Sequence, residues 1–276
     1  MTRIEDISTG LRLGGDGIYY ASGQAAVSYS DTGHAGCFQV EDESFWFRHR
    51  NQCISAVVAN HPWSGMLLDI GGGNGYVAQR LAADGREVML LEPGPVGARN
   101  ARQGRGLAHV ACATVEAAGF RPGSFGALGL FDVIEHVEQD RRFIEDVAPL
   151  LAPGGMLYLT VPCHAWLWSS ADVEAGHFRR HTRASLQALL AGLFETEYFS
   201  YTFRPLVLPQ WLFRALPHRL GAGRKRAMLS AEVEHGTAHG PVTRAIERLL
   251  AAEARAIAAG RSIGFGASAV VAARLR

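Results

Sequence analysis

MLLDIGGGNGYVAQRLAADGREVMLLEP, residues 66–93, is the stretch whose reading decides the fold. Its apolar run at 66–70 is too short for a helix and is stopped by glycines, so it predicts a buried strand. A helix over 74–83 and a second strand over 87–91 follow. Glycines at positions 71, 73 and 75 (Gly71, Gly73, Gly75) let backbone approach a ligand closely, and a helix start offers N–H groups without partners. In open α/β sheets ligands lie beyond the carboxyl ends of the strands. Asp69 and Glu92 sit at two such ends, and a carboxylate in the place of Glu92 can accept hydrogen bonds from both hydroxyls of a ribose. A dinucleotide GxGxxG would put its last glycine where this chain has Tyr76.

Outward from this stretch the alternation continues. Strands are predicted over 108–111, 125–131, 156–162, 195–203 and 268–273, with helices over 95–102, 141–151 and 183–190. The expected fold class is α/β: a Rossmann-like, doubly wound, mostly parallel seven-stranded sheet whose last strand is antiparallel. Residues 1–60 are read as an N-terminal flap and a cap helix, 61–203 as the cofactor-binding core, 204–261 as a helical insertion and 262–276 as the last strand. Within the insertion, 206–216 and 242–259 are predicted helical, the latter with Ile246, Leu249, Leu250 and Ile257 on an apolar face. Its opening, RPLVLPQWLFRALPHRLGAGRKR (204–226), is broken by three prolines, which suits a lid or a homodimer contact better than a long interfacial helix.

Composition narrows the partners. The net charge is +1, from 27 cationic and 26 acidic residues, and Lys225 is the only lysine. So even a balance gives no argument for nucleic acid or an anionic membrane. Cys37, Cys53, Cys112 and Cys163 show no metal-ligand spacing and fit a reducing compartment. No apolar run reaches transmembrane length and no signal peptide is apparent, so a cytoplasmic location is expected.

DIGGGNG and LLEP resemble the first two motifs of the class I S-adenosylmethionine-dependent methyltransferases, and the resemblance runs from about Phe45 to Ala273. It is similar most of all to ubiquinone-type and bacterial sugar, lipid and natural-product methyltransferases. The resemblance implies S-adenosyl-L-methionine as cofactor and S-adenosyl-L-homocysteine as product. Gly71, Gly73 and Gly75 would surround its methionine and ribose, with Asp69 at the strand end and Glu92 on the ribose. Thr114 and Val115 hold the places beside adenine, although the acid usual there is missing. LFDVIEHVEQD (130–140) resembles the segment after the fourth strand, with Asp132 touching the cofactor or capping a helix.

Three histidines could act on an acceptor. His136 lies in Asp132-x-x-Glu135-His136, and helical spacing would put those three side chains on one face. Such a set suits a divalent metal, as in some ubiquinone O-methyltransferases, but the reading preferred here is metal-free. His177 and His181 flank Arg179 and Arg180 in GHFRRHT, with Thr182 as the cap of the next helix. His177 is the first choice for a general base and Arg180 for an anchor of an anionic substrate. Trp46, Phe47, Arg48 and Arg50 resemble a segment that would cover the cofactor, and Trp166 and Trp168 could line an apolar pocket. Cys163 is read as a packed thiol, because the Pro-Cys motif of RNA cytosine methyltransferases is replaced by Phe131-Asp132. The expected partner is a small-molecule acceptor methylated on O, N or C. A nicotinamide-dependent oxidoreductase and a non-catalytic cofactor-binding scaffold are the alternatives.

Overall fold

Apolar runs bounded by glycine turns form the centre of the sheet. Leu67–Ile70 (β3), Val88–Leu91 (β4) and Phe125–Phe131 (β6) are buried along their whole length, as parallel strands covered on both faces must be. The computed structural model describes residues 3–21, 37–221 and 240–276. Its other strands are Leu11–Leu13 (β1), Tyr19–Ala21 (β2), His109–Cys112 (β5), Leu151–Pro162 (β7), Phe194–Thr202 (β8) and Ser268–Leu275 (β9). The order across the sheet is β1-β2-β5-β4-β3-β6-β7-β9-β8. β9 runs antiparallel to both of its neighbours, β7 and β8.

Among the described residues nine strands stand where seven were expected. The two extra ones are the hairpin β1–β2, whose second strand pairs in parallel with β5. Ile4, Ile7, Leu11 and Ile18 are buried there. Strands of three residues broken by glycines carry no period to read, and only the docking of these side chains explains them. The flap residues 22–36, and the stretch from 222 through Lys225 to 239, lie outside the described residues.

The principal helices are Phe45–Asn60 (α1), Tyr76–Ala83 (α2), Pro95–Arg99 (α3), Asp140–Val147 (α4), Ser170–Glu174 (α5), Arg183–Leu190 (α6) and Pro241–Ala258 (α7). Ser44 caps α1, its hydroxyl accepting from the Trp46 and Phe47 N–H groups. α2 begins at Tyr76 rather than at 74, because Gly75 takes a left-handed φ of 81°. The helix predicted over 141–151 gives way to a tighter turn at 148–150, and Leu151 already opens β7. The Pro153-Gly154-Gly155 turn is therefore an excursion within that strand, where its register against β6 shifts. The helix expected over 206–216 is present as a continuous helical stretch from 207 to 219, with a wider π-type turn over Trp211–Ala215 between two α-helical turns.

Alternate residues of β3 feed two cores. Leu68 and Ile70 join one, Leu67 the other, and Asp69 shares the face of Leu67. α1 and α7 pack together, held by Arg48 on Glu247 (2.6 Å) and by His49 on Glu253 (2.8 Å). Leu249, assigned to the apolar face of α7, is 58% exposed, while Glu253 is buried in its stead. No described helix is long and apolar enough to cross a membrane.

Gly126 shows how closely β6 is packed. A Cβ there would lie 1.6 Å from the Ser64 carbonyl oxygen, which is backbone and cannot step aside. Gly126→Ala is expected to destabilise the protein by about 3 kcal/mol, read from the urea midpoint. Gly15→Ala, with open space around it, should stay within about 0.5 kcal/mol of wild type.

Candidate functional site

A cavity of about 490 Å³ opens at the carboxyl ends of β3, β4 and β6. Its floor is the glycine loop. Gly71 and Gly73 line it with φ of 67° and 56°. A Cβ at Gly72 would stand 2.6 Å from an Asp69 oxygen. Gly75 stays outside the lining and serves packing, since a Cβ there would meet Leu107 and Ala101.

Two carboxylates face this floor. Asp69 lines the cavity with 1% of its surface exposed, and among the described residues neither of its side-chain oxygens has a hydrogen-bond partner. Burial pushes its pKa up to about 7, with Glu92 adding to the rise and Arg50 opposing it. Glu92 accepts from the Gly73 N–H (2.9 Å) and the Gly94 N–H (2.6 Å). Burial outweighs those two bonds and lifts its pKa to about 7 as well. This acid therefore straps the glycine loop to the end of β4 while lining the cavity. Thr114, whose hydroxyl caps the turn Val115–Ala118, lines the side wall together with Val115.

α1 and the segment before it form the roof. Trp46 and Phe47 line the cavity, and Trp46 stacks on Phe203 with centroids 5.2 Å apart. Arg50 pairs with Asp132 (2.6 Å) and donates to the Phe131 carbonyl. Asp132 is held at a φ of 58°, rare for a residue with a side chain, and accepts from the Thr160 hydroxyl (2.9 Å). Buried Glu41 accepts from Asn74 in the glycine loop (3.0 Å) and from Arg105 (2.9 Å). Arg105 in turn lies over Phe38 and Tyr76. No motif announced this clamp.

His136 and His177 line the same cavity with ring centroids 4.7 Å apart at 85°. Burial, with His177 nearby, lowers the His136 pKa to about 4, so its ring is neutral near pH 7. His177 Nδ1 lies 3.0 Å from Asp172, which is buried and also accepts from Arg180 and from the Ser169 N–H. Burial alone would raise the Asp172 pKa, but hydrogen bonds from His177 and Arg180 hold it well below the usual carboxylate range. Asp172 was missed in the sequence, where it is one acid in an unremarkable turn.

Residues 132–136 are not an α-helix, so the one-face argument for Asp132, Glu135 and His136 fails. Only 134–136 form a tight turn, and Asp132 faces Arg50 and Thr160. The ligand atoms that converge are those of Glu135, His136 and His177, all within 4.8 Å of one another. Glu135 is fully buried, and burial with Asp132 beside it raises its pKa well above the usual value.

Four more candidates stand away from the cavity lining. His181 is buried with Nδ1 3.3 Å from Ser185, beside the cap that Thr182 forms for α6. Arg180 is bound to Asp172 and the Cys163 carbonyl, and Arg48 to Glu247. Trp166 stacks on His164 and Phe265. Cys163 is completely buried, and burial raises its thiol pKa.

Known proteins share this fold. The family model described as "Methyltransferase domain" matches residues 45–193, just over half of the chain. A ubiquinone biosynthesis O-methyltransferase of Parvibaculum lavamentivorans is 29% identical over 126 residues, 42% of this chain and 49% of that protein. The chain thus spans about half the length of that relative. The solved phosphoethanolamine N-methyltransferase 2 of Haemonchus contortus superposes with a TM-score of 0.54 at 17% identity, over 93% of this chain and 61% of the other. A methyltransferase of Thermotoga maritima, also S-adenosylmethionine-dependent, gives 0.53 at 18% identity, over 86% and 92%. The two superpositions bear on the fold, and the family match sets the nicotinamide alternative aside. With its glycine loop, its two strand-end acids and its sheet order, the chain belongs to the methyltransferase-domain family of S-adenosylmethionine-dependent enzymes.

Proposed function

We propose that the chain transfers the methyl group of S-adenosylmethionine to a hydroxyl oxygen of a small, neutral acceptor, with His177 as the base. One observation carries the reading: a single cavity is lined by two buried strand-end acids beside a glycine loop and also by His177, which Asp172 holds from outside the lining.

The residues present fit the cofactor. Asp69 is a buried carboxylate whose oxygens lack partners, and the ammonium of the methionine part would supply one. Each Glu92 oxygen accepts from a backbone N–H, which fixes the carboxylate in the cavity lining where a ribose hydroxyl would donate to it. Gly71 and Gly73 keep the floor clear, and Val115 offers an apolar wall for adenine. When bound, the cofactor supplies a methyl group on a sulfonium, an electrophile with a good leaving group.

The protein then has to align the acceptor, exclude water and take a proton. Asp172 accepts the Nδ1 proton of His177, which leaves the Nε2 lone pair to receive the proton of the acceptor hydroxyl. Neutral His136 beside it adds no competing charge. Val137 and Phe143, which line the cavity with His136 and His177, add apolar surface for the acceptor. Arg50, the one Arg or Lys among the described lining residues, is neutralised by Asp132, which supports a neutral acceptor rather than the anionic one Arg180 was expected to anchor.

Calorimetric titration with S-adenosylhomocysteine tests the cofactor. Wild type should bind, and Glu92→Gln should weaken binding about ten- to a hundredfold, the loss of one charge-assisted contact. A folded wild type that does not bind would overturn the proposal.

A further inference from the structure

We propose that His49, Cys53 and Glu253 form a buried site for a zinc-class divalent cation, separate from the cofactor cavity. His49 and Cys53 are four residues apart on α1 and so share one face. Glu253 meets them from α7. Cys53 Sγ lies 3.5 Å from His49 Nε2, which is 2.8 Å from Glu253 Oε1. The ligand atoms of the three residues all fall within 4.8 Å of one another. Zinc bonds of about 2.0–2.3 Å in a tetrahedron put neighbouring ligand atoms about 3.3–3.6 Å apart. The cysteine–histidine spacing already matches. The histidine–glutamate spacing must open by roughly half an ångström.

Three further observations point the same way. The first is charge: thiolate, carboxylate and neutral imidazole balance a divalent cation, as burial of all three side chains requires. The second is the outer shell. Glu253 Oε1 accepts from the Phe203 N–H (2.6 Å) and Oε2 from the Arg204 N–H (3.0 Å), the kind of hydrogen bonding that fixes a ligating carboxylate. Phe203 is held for this at a φ of 59°. The third is room for a fourth ligand. A cavity of about 10 Å³, near the size that admits one water, lies on the Cys53 side of the three residues, bounded by Arg50, Asp132, Thr202 and Phe203 and reached by neither His49 nor Glu253. Thiolate with imidazole selects zinc or cobalt over magnesium or calcium. The cation would cross-link α1, α7 and the end of β8, and Trp46, which stacks on Phe203, extends that brace to the roof of the cofactor cavity.

The test is a Co²⁺ titration of the full chain, freed of metal by a chelator and kept reduced. One equivalent should bind with a thiolate-to-cobalt charge-transfer band and tetrahedral d–d bands, and one equivalent of Zn²⁺ should displace it. Cys53→Ser should abolish the charge-transfer band, and Glu253→Gln should weaken binding at least about tenfold. The Glu135–His136–His177 group contains no thiol, so metal bound there cannot produce that band. Absence of the band at stoichiometric Co²⁺, or its survival in Cys53→Ser, would mean that the three side chains only hydrogen-bond one another, and would overturn the proposal. Should Cys53→Ser not fold, the Cys37→Ser/Cys112→Ser/Cys163→Ala variant leaves Cys53 as the one thiol: the band retained supports the site, and the band lost refutes it.

Discussion

His177→Ala is expected to lower kcat by about 10²–10⁴-fold, the usual worth of a positioned general base. Affinity for S-adenosylhomocysteine should change little, because the carboxylates assigned to the cofactor, Asp69 and Glu92, stay in place. The reason is geometric. Asp172 accepts one imidazole proton at 3.0 Å, and the other ring nitrogen is left to act on the acceptor. Asp172→Asn should also lower kcat, since a side-chain amide can donate to Nδ1 and so favour the tautomer that no longer accepts at Nε2. The two variants are compared by steady-state kinetics with a hydroxylated acceptor. Unchanged kcat in His177→Ala would remove His177 as the base and leave the cofactor assignment standing.

Asp69→Asn is expected to separate stability from binding. The carboxyl of Asp69 has a pKa of about 7 in the fold against 3.8 ordinarily, so the folded state holds its proton more tightly than the unfolded chain. Stability of the unliganded protein therefore falls as pH rises through that window, and the cost is fully present above about pH 7. Glu92 acts in the same direction. Asp69→Asn removes the larger part of that cost, on the order of 2–4 kcal/mol. The gap between the urea midpoints at about pH 5.5 and about pH 8 should shrink by about half in the variant, because Glu92 still titrates across that window. Binding should go the other way: without the carboxylate, affinity for S-adenosylmethionine should drop about ten- to a hundredfold. A variant that binds as well as wild type would show that no cationic group reaches Asp69.

Buried parallel strands are near-continuous apolar runs, which is why β3, β4 and β6 could be read so closely, with a glycine loop and an acid marking where the ligand side begins. The hairpin β1–β2 could not, because its short strands are defined by what they dock against. In the candidate site, helical phase separated residues that spacing alone left equivalent. Arg48 and Arg50 are about 200° apart around α1, so one meets Glu247 and the other Asp132 at the cavity. His177 and His181 look alike in GHFRRHT, yet His181 bridges to Cys163 at the end of β7 and turns into the core. Asp172 and Glu41 carry no local signature, since their importance comes from partners distant in the fold or in an irregular loop.

The place of β9 in the sheet has a consequence for synthesis. β8 has β9 as its strand partner, and β9 also completes β7. On the ribosome, residues 194–202 emerge long before 268–275, with the segment carrying α7 between them. Until the later residues leave the exit tunnel, β7 and β8 each present open hydrogen-bonding edges to the solvent. Synthesis in this order leaves β7 and β8 open to wrong pairing until β9 is available to pair between them.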